Sequence, residues 1–160
     1  RLSRLYEFEN KYNFSSCQFV RSAFDIIEKK EMFNTLKNNN NEGIVFKLKI
    51  APYVSGRPNS LGDQLKFKFV TSASVIVTNV NEQRSVSIGV IKDEELIPVG
   101  NVKIPPNEQM PQINCVIEVR YLYAFRETNA LFQPVYLGLR EDIPFNECVL
   151  DQLKYKNEID

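Results

Sequence analysis

Apolar and polar positions alternate through most of the chain after Gly43. Val86, Ile88 and Val90 are interleaved with Ser85, Ser87 and Gly89, the period-two pattern of a half-buried strand. Ser74–Val80 has a similar pattern, and only Asn81-Glu82-Gln83 separates it from Arg84–Ile91, so the two segments predict a hairpin. Leu96–Ile104 predicts another strand, stopped by Pro105-Pro106. In Cys115–Phe125 the residues Cys115, Ile117, Val119, Tyr121 and Tyr123 fall on one face, and Phe132–Leu139 predicts a last strand. No helical period of comparable length interrupts these segments.

The first part of the chain reads differently. Gln18-Phe19-Val20 predicts a short strand. A helix is expected over Asp25–Lys37, with Asp25 as N-cap and Ile26, Phe33 and Leu36 on one face. Asn38 to Asn41 ends it, because Asn favours turns and the left-handed conformation. Strands are predicted over Gly43–Ile50 and Gln64–Val70, joined by a loop that holds Pro52, Gly56, Pro58 and Gly62. The predicted class is α+β, mainly β. About five strands after Val70 suit a small closed barrel of the oligonucleotide-binding (OB) type. The boundary falls at Phe69–Ser72, dividing residues 1–69 from a barrel domain of residues 70–160.

Composition narrows the chemistry. The 160 residues include no His, which removes Ser-His-Asp and Cys-His catalysis and His-ligated metals. Three widely separated cysteines, Cys17, Cys115 and Cys148, fit neither a zinc site nor a disulfide framework, and read as buried thiols in a reducing cytosol. No apolar run approaches membrane-spanning length, and no signal peptide is visible. A cytoplasmic location follows, or a nuclear one in a eukaryote. The chain opens on Arg1 rather than Met, so it is expected to be a piece of a longer protein. The formal net charge is zero, but the zero hides a split. Residues 1–69 hold 12 Lys/Arg against 7 Asp/Glu, a net +5, and residues 70–160 hold 8 against 13, a net −5. Such asymmetry suggests that one half faces an anion.

Lys66 and Lys68 are the sharpest feature. Two apart on a strand, they share one face about 7 Å from each other, while Leu65, Phe67 and Phe69 take the other. Paired ammonium groups above an apolar anchor make a phosphate clamp, although a solvated strand face gives the same pattern. Glu42, directly before Gly43 and an apolar strand, is placed to hold a divalent cation or a ribose hydroxyl at the end of a sheet. A loop glutamate is the plainer reading.

Together these segments resemble a known family. Glu42-Gly43-Ile44-Val45-Phe46-Lys47, followed some 18 residues later by Leu65-Lys66-Phe67-Lys68-Phe69, looks like nucleotidyltransferase motifs IV and V. Those motifs belong to the superfamily of ATP-dependent DNA ligases, RNA ligases and mRNA capping enzymes. Leu139-Arg140-Glu141-Asp142 resembles motif VI of DNA ligases, R-x-D-K, with Ile143 where the family usually has Lys. The resemblance runs from Ile44 to Lys156. Motif I, the K-x-D-G that carries the family's lysine nucleophile, is absent.

The resemblance implies the C-terminal edge of an adenylation domain followed by an OB domain, from a DNA ligase that seals nicks through lysyl-AMP and DNA-adenylate intermediates. It implies ATP and Mg²⁺ as cofactors and nicked double-stranded DNA as partner, with RNA an alternative, in a monomeric protein. Lys66 and Lys68 would contact the α-phosphate, Glu42 would help bind nucleotide and Mg²⁺, and Arg140 and Asp142 would orient pyrophosphate. The OB domain would swing about a hinge at Val70–Ser72. Lys47, Lys49 and Arg57 are candidates for touching the nucleic-acid backbone. Three other readings remain open at this point: an RNA ligase or capping nucleotidyltransferase, a non-catalytic OB module that binds single strands, and a degenerate ligase-like protein. Tyr121, Tyr123 and Phe125 could stack bases in the second of these, but their alternation fits a core.

Overall fold

A computed structural model describes residues 2–12, 22–56 and 62–157. The predicted strand Gln18-Phe19-Val20, Cys17 and Arg57 lie outside the described residues. The chain divides into two compact units, residues 1–34 and 35–160.

The first unit is helical where it is described. Helix α1 spans Leu2–Lys11 and helix α2 spans Ile26–Asn38, the latter crossing the division between units. Asp25 caps α2 as its residue type predicts. Its Oδ1 accepts the N–H groups of Ile27 and Glu28, both at 2.8 Å. Glu28 reaches back, its Oε2 accepting the Phe24 N–H at 2.8 Å. That reciprocal arrangement satisfies donors that the first helical turn leaves open. Ile26 departs from the expected apolar face and is exposed.

The second unit is built of two antiparallel sheets. Strands β1 (Gly43–Lys47) and β2 (Gln64–Lys68) form a hairpin. Strands β3 (Thr71–Asn81), β4 (Ser85–Lys92), β5 (Glu95–Lys103), β6 (Val116–Tyr121) and β7 (Val135–Leu139) form a sheet in the order β5-β4-β3-β6-β7. Inward positions of these strands make the core: Val75, Val77, Val86, Ile88, Val90, Val99, Ile117, Val119 and Tyr121 pack in one buried cluster. Ile76, Val116 and Cys148 form a smaller one, with Ile91 and Ile143 against it. Burial of this apolar surface is the main stabilising term.

The expected closed barrel is corrected by the strand pairing. β5 and β7 are the sheet's edges, and no ladder joins them. One backbone bond, from Leu131 N–H to the Val99 carbonyl at 2.8 Å, links β5 to the segment that leads into β7. The physical reason lies between Leu122 and Pro134. Asn129 and Gln133 there adopt positive φ (58° and 54°), so the predicted strand 132–139 is cut to Val135–Leu139 and β7 is too short to close the sheet. β1 is shortened by a turn. It ends at Lys47, where Leu48 N–H bonds to the Asp63 carbonyl and Ala51 N–H to the Leu48 carbonyl, so Lys49 sits in a turn.

Only Phe69 and Val70 lie between the hairpin and the five-stranded sheet. Thr71 and Ser72, within the expected hinge, are already paired with Tyr121 and Arg120 in β3.

Candidate functional site

The hairpin register sets the site. Gly43 pairs with Lys68, Val45 with Lys66 and Lys47 with Gln64. Cross-strand partners share a face, so Lys47, Lys66 and Lys68 occupy one side of the hairpin. Ile44 and Phe46 pair with Phe67 and Leu65 on the other side. Gly43 is required by its closeness to the partner strand: a Cβ there would collide with the Phe67 carbonyl oxygen and lie 2.9 Å from Lys68 Cα. The Glu42 carbonyl accepts the Phe69 N–H at 3.0 Å. Glu42, just before β1, and Lys68, the last residue of β2, therefore stand at the same end of the hairpin.

That end is tied to the larger sheet. Lys68 Nζ donates to Gln133 Oε1 at 2.8 Å, and Lys154 Nζ donates to the Phe69 carbonyl at 3.3 Å. Phe69 is 5% exposed and meets Phe67 edge-to-face with centroids 5.9 Å apart. Partial burial holds the Lys154 ammonium below its usual pKa. An aromatic cluster lies on the same side: Tyr123 stacks on Phe132 at 4.9 Å, Phe125 meets both rings edge-on, and Lys156 Nζ stands 5.6 Å from the Tyr123 centroid. Burial, followed by the Glu42 charge, raises the Tyr123 phenol. Tyr121 is buried in the main core cluster, and Lys154 N–H donates to its Oη at 2.8 Å. Tyr121 therefore belongs to the core rather than to an open stacking surface, while Tyr123 packs in the aromatic cluster.

Arg140 and Asp142 lie beyond the far end of β7 from Gln133, and the structure does not bring them to Lys66 and Lys68. The Arg140 guanidinium grips Asp142 with two bonds, Nε to Oδ1 at 2.7 Å and Nη2 to Oδ2 at 2.8 Å. Its Nη1 meets Glu118 Oε2 at 2.7 Å. Glu118 also accepts the Ser74 hydroxyl at 3.1 Å, and Ser74 exchanges backbone bonds with the Gln152 side chain. The Asp142 hydrogen bond raises Arg140 above its ordinary pKa, and the same bond holds Asp142 below the usual carboxylate range. Ile143 packs against the small core of Ile76, Val116 and Cys148, so its apolar side chain has a structural use.

Sequence reasoning misses Gln133, Lys154 and Lys156, and reads Glu118 as a simple neighbour of Arg120 on one strand face, whereas it pairs with Arg140. Leu153-Lys154-Tyr155-Lys156 does echo Leu65-Lys66-Phe67-Lys68, but no local pattern says that Lys154 reaches Phe69. No group of three or more Asp, Glu, Cys or His side chains among the described residues could hold a metal ion. Glu42, an exposed carboxylate at the end of the hairpin, fits helping to hold a Mg²⁺ brought mainly by a nucleotide, not one held in a protein cage. A shallow depression of about 500 Å³, lined by Asn79, Val80, Asn81, Glu82, Gln83, Ser85 and Asn101 at the β3–β4 turn, holds none of the residues singled out from the sequence. Among the described residues no helix is long and apolar enough to cross a membrane.

No family model matches the chain, and no curated protein matches it. Solved structures do. A Lig E DNA ligase, from work on DNA binding with a minimal scaffold, superposes with a TM-score of 0.61 at 16% identity over 88% of this chain and 57% of its own. The ligase domain of M. tuberculosis LigD aligns at 0.46 and 18% identity, over 92% of this chain and 57% of its own. A mycobacterial DNA ligase D complexed with ATP and MES aligns at 0.39 and 18%, over 79% and 51%. The chain thus spans little more than half of the ligases it is similar to. The mainly β architecture of the described residues, with antiparallel sheets, is a fold shared with part of a solved DNA ligase.

Proposed function

We propose that this chain is part of an ATP-dependent DNA ligase, comprising the last hairpin of an adenylation domain and an OB-type domain after it. The observation that carries the reading is the hairpin end, where Lys66 and Lys68 share one face and the Glu42 carbonyl, just before β1, accepts the Phe69 N–H just after β2. A fold like that of a Lig E DNA ligase supports it.

In this reading Lys66 and Lys68 hold the α-phosphate and offset the charge that gathers on phosphorus during nucleotidyl transfer. Glu42 would help hold Mg²⁺, which would supply further charge neutralisation. Lys47, on the same face, extends the cationic strip toward the nucleic-acid backbone, with Lys49 and Arg57 following it in sequence. Arg140 serves pyrophosphate only after exchanging part of its hold on Asp142 and Glu118, which fits a domain movement between steps. Phe69–Val70 is the short connection about which that movement would turn.

The test is single-turnover nick sealing by the protein in its complete reading frame. Lys66→Ala and Lys68→Ala should each slow sealing on the order of 100- to 1000-fold, the effect of one preorganised electrostatic donor. A solvated strand face predicts a change of less than roughly twofold. Near-normal rates in both variants would sink the ligase reading.

A further inference from the structure

We infer that Gln133 is a positioning residue for Lys68, holding its ammonium group in place for a phosphate without cancelling its charge. The inference rests on the reading of Lys68 as a phosphate-binding cation. Its own ground is the 2.8 Å bond from Lys68 Nζ to Gln133 Oε1, between residues 65 apart in sequence.

Three features single this contact out. First, the acceptor is neutral. An ammonium group has three N–H donors, and the amide oxygen engages one, leaving two and the full positive charge for an anion. A carboxylate at 133 would hold the ammonium more strongly but neutralise it. Second, the backbone that presents Gln133 is fixed on one side. Phe132 exchanges backbone bonds with neighbouring segments: its N–H donates to the Tyr123 carbonyl at 2.8 Å, and its carbonyl accepts the Leu122 N–H at 3.1 Å. The Phe132 ring is stacked on Tyr123. Third, Gln133 itself sits at φ 54°. A glycine would take that conformation without cost, and strained non-glycine residues cluster where a side chain has work to do. Lys68 is a flexible four-carbon chain on an exposed strand, and an unheld ammonium there would lose conformational freedom each time it met a phosphate.

The contact also spans the short Phe69–Val70 connection, because Lys68 ends the hairpin and Gln133 precedes β7. Gln133 therefore makes the position of Lys68 depend on how the hairpin sits against the five-stranded sheet. A phosphate clamp held in this way is fully ordered only when the two sheets are docked.

The experiment compares Gln133→Gly, Gln133→Glu and Lys68→Ala with wild type in the complete reading frame. Thermal denaturation reads the fold, and single-turnover sealing of a pre-adenylated nick, over a range of DNA concentrations, reads the rate at saturation apart from the DNA affinity. Gln133→Gly relieves the positive φ, so its melting temperature should equal or exceed wild type. Its saturated rate should nevertheless fall about 5- to 10-fold, the loss of one exposed hydrogen bond to a charged group, with DNA affinity unchanged. Gln133→Glu should fall further, because it keeps the bond and cancels the charge. A purely structural role predicts normal rates in every variant that folds. Lys68→Ala separates the two claims. If it is slow while Gln133→Gly and Gln133→Glu are normal, the positioning role is overturned and the phosphate reading stands. If Lys68→Ala is itself normal, the phosphate reading falls and this inference with it.

Discussion

At the scale of single residues, the sequence shows periodicity well and long-range partners poorly. The alternation that puts Lys66 and Lys68 on one face is a local property of a strand, and the β1–β2 register agrees with it. Arg140 and Asp142 are legible as a motif, but the third member of their network is not. Glu118 lies 22 residues from Arg140 and reads as a simple neighbour of Arg120 on one strand face, yet it accepts from Arg140 and Ser74. The Arg140–Asp142 pair predicts a pH response. Asp142 gives up its proton more readily in the folded chain than its ordinary value of 3.8. Its contribution to stability is therefore complete above that value and is lost as pH falls through the lower, folded value. Urea unfolding should find Asp142→Asn less stable than wild type at pH 7. The gap should narrow steadily as pH falls below 3.8, because the wild-type carboxylate takes up its proton and the charge difference between the two chains is lost. A gap that persists unchanged into acid would show that the two hydrogen bonds, not the carboxylate charge, carry the effect.

At the scale of elements, the strands from β3 to β7 fall close to where alternation sets them, because inward apolar residues on a half-buried sheet leave a period-two trace. Strand ends are less legible. They depend on backbone events such as the positive φ at Gln133, which a Gln does not announce. The open edge of the sheet is hidden in the sequence for the same reason. Two predictions test the packing. Ile88 is fully buried in the centre of the main cluster, so Ile88→Ala should cost about 2–5 kcal/mol in a urea titration. Leu137 faces solvent on edge strand β7, so Leu137→Ala should stay within about 0.5 kcal/mol. Gly43→Ala tests the hairpin. Its new methyl group would meet the Phe67 backbone, which cannot swing aside as a side chain can, and overpacking of this kind costs about 1–3 kcal/mol. Amide exchange should show faster opening of β1 and β2 in that variant while β3 to β6 stay protected. Uniform loss of protection would mean that the hairpin and the large sheet open as one unit.

At the scale of the molecule, the hairpin raises the question of what the 160 residues can do alone. Two strands by themselves are marginal in water, and here Phe46, Leu65 and Phe67 remain about half exposed on the face away from the lysines. The hairpin is held instead by its docked end, through buried Phe69 and the Lys154–Phe69 bond. The cations proposed to stabilise charge on phosphorus are present, but no K-x-D-G, the sequence context proposed for the nucleophile, occurs anywhere in the chain. Stabilising a transition state does not substitute for the attacking group, because an unactivated surface lysine stays protonated and unreactive near pH 7. The 160-residue chain should therefore form no covalent lysine–AMP adduct. Incubation with radiolabelled ATP and Mg²⁺, followed by a denaturing gel, gives the answer directly. The expected result is no labelled band at the size of the chain. A labelled band lost in Lys66→Ala or Lys68→Ala would assign the nucleophile to the hairpin itself, and those lysines would then be attacking groups rather than electrostatic ones.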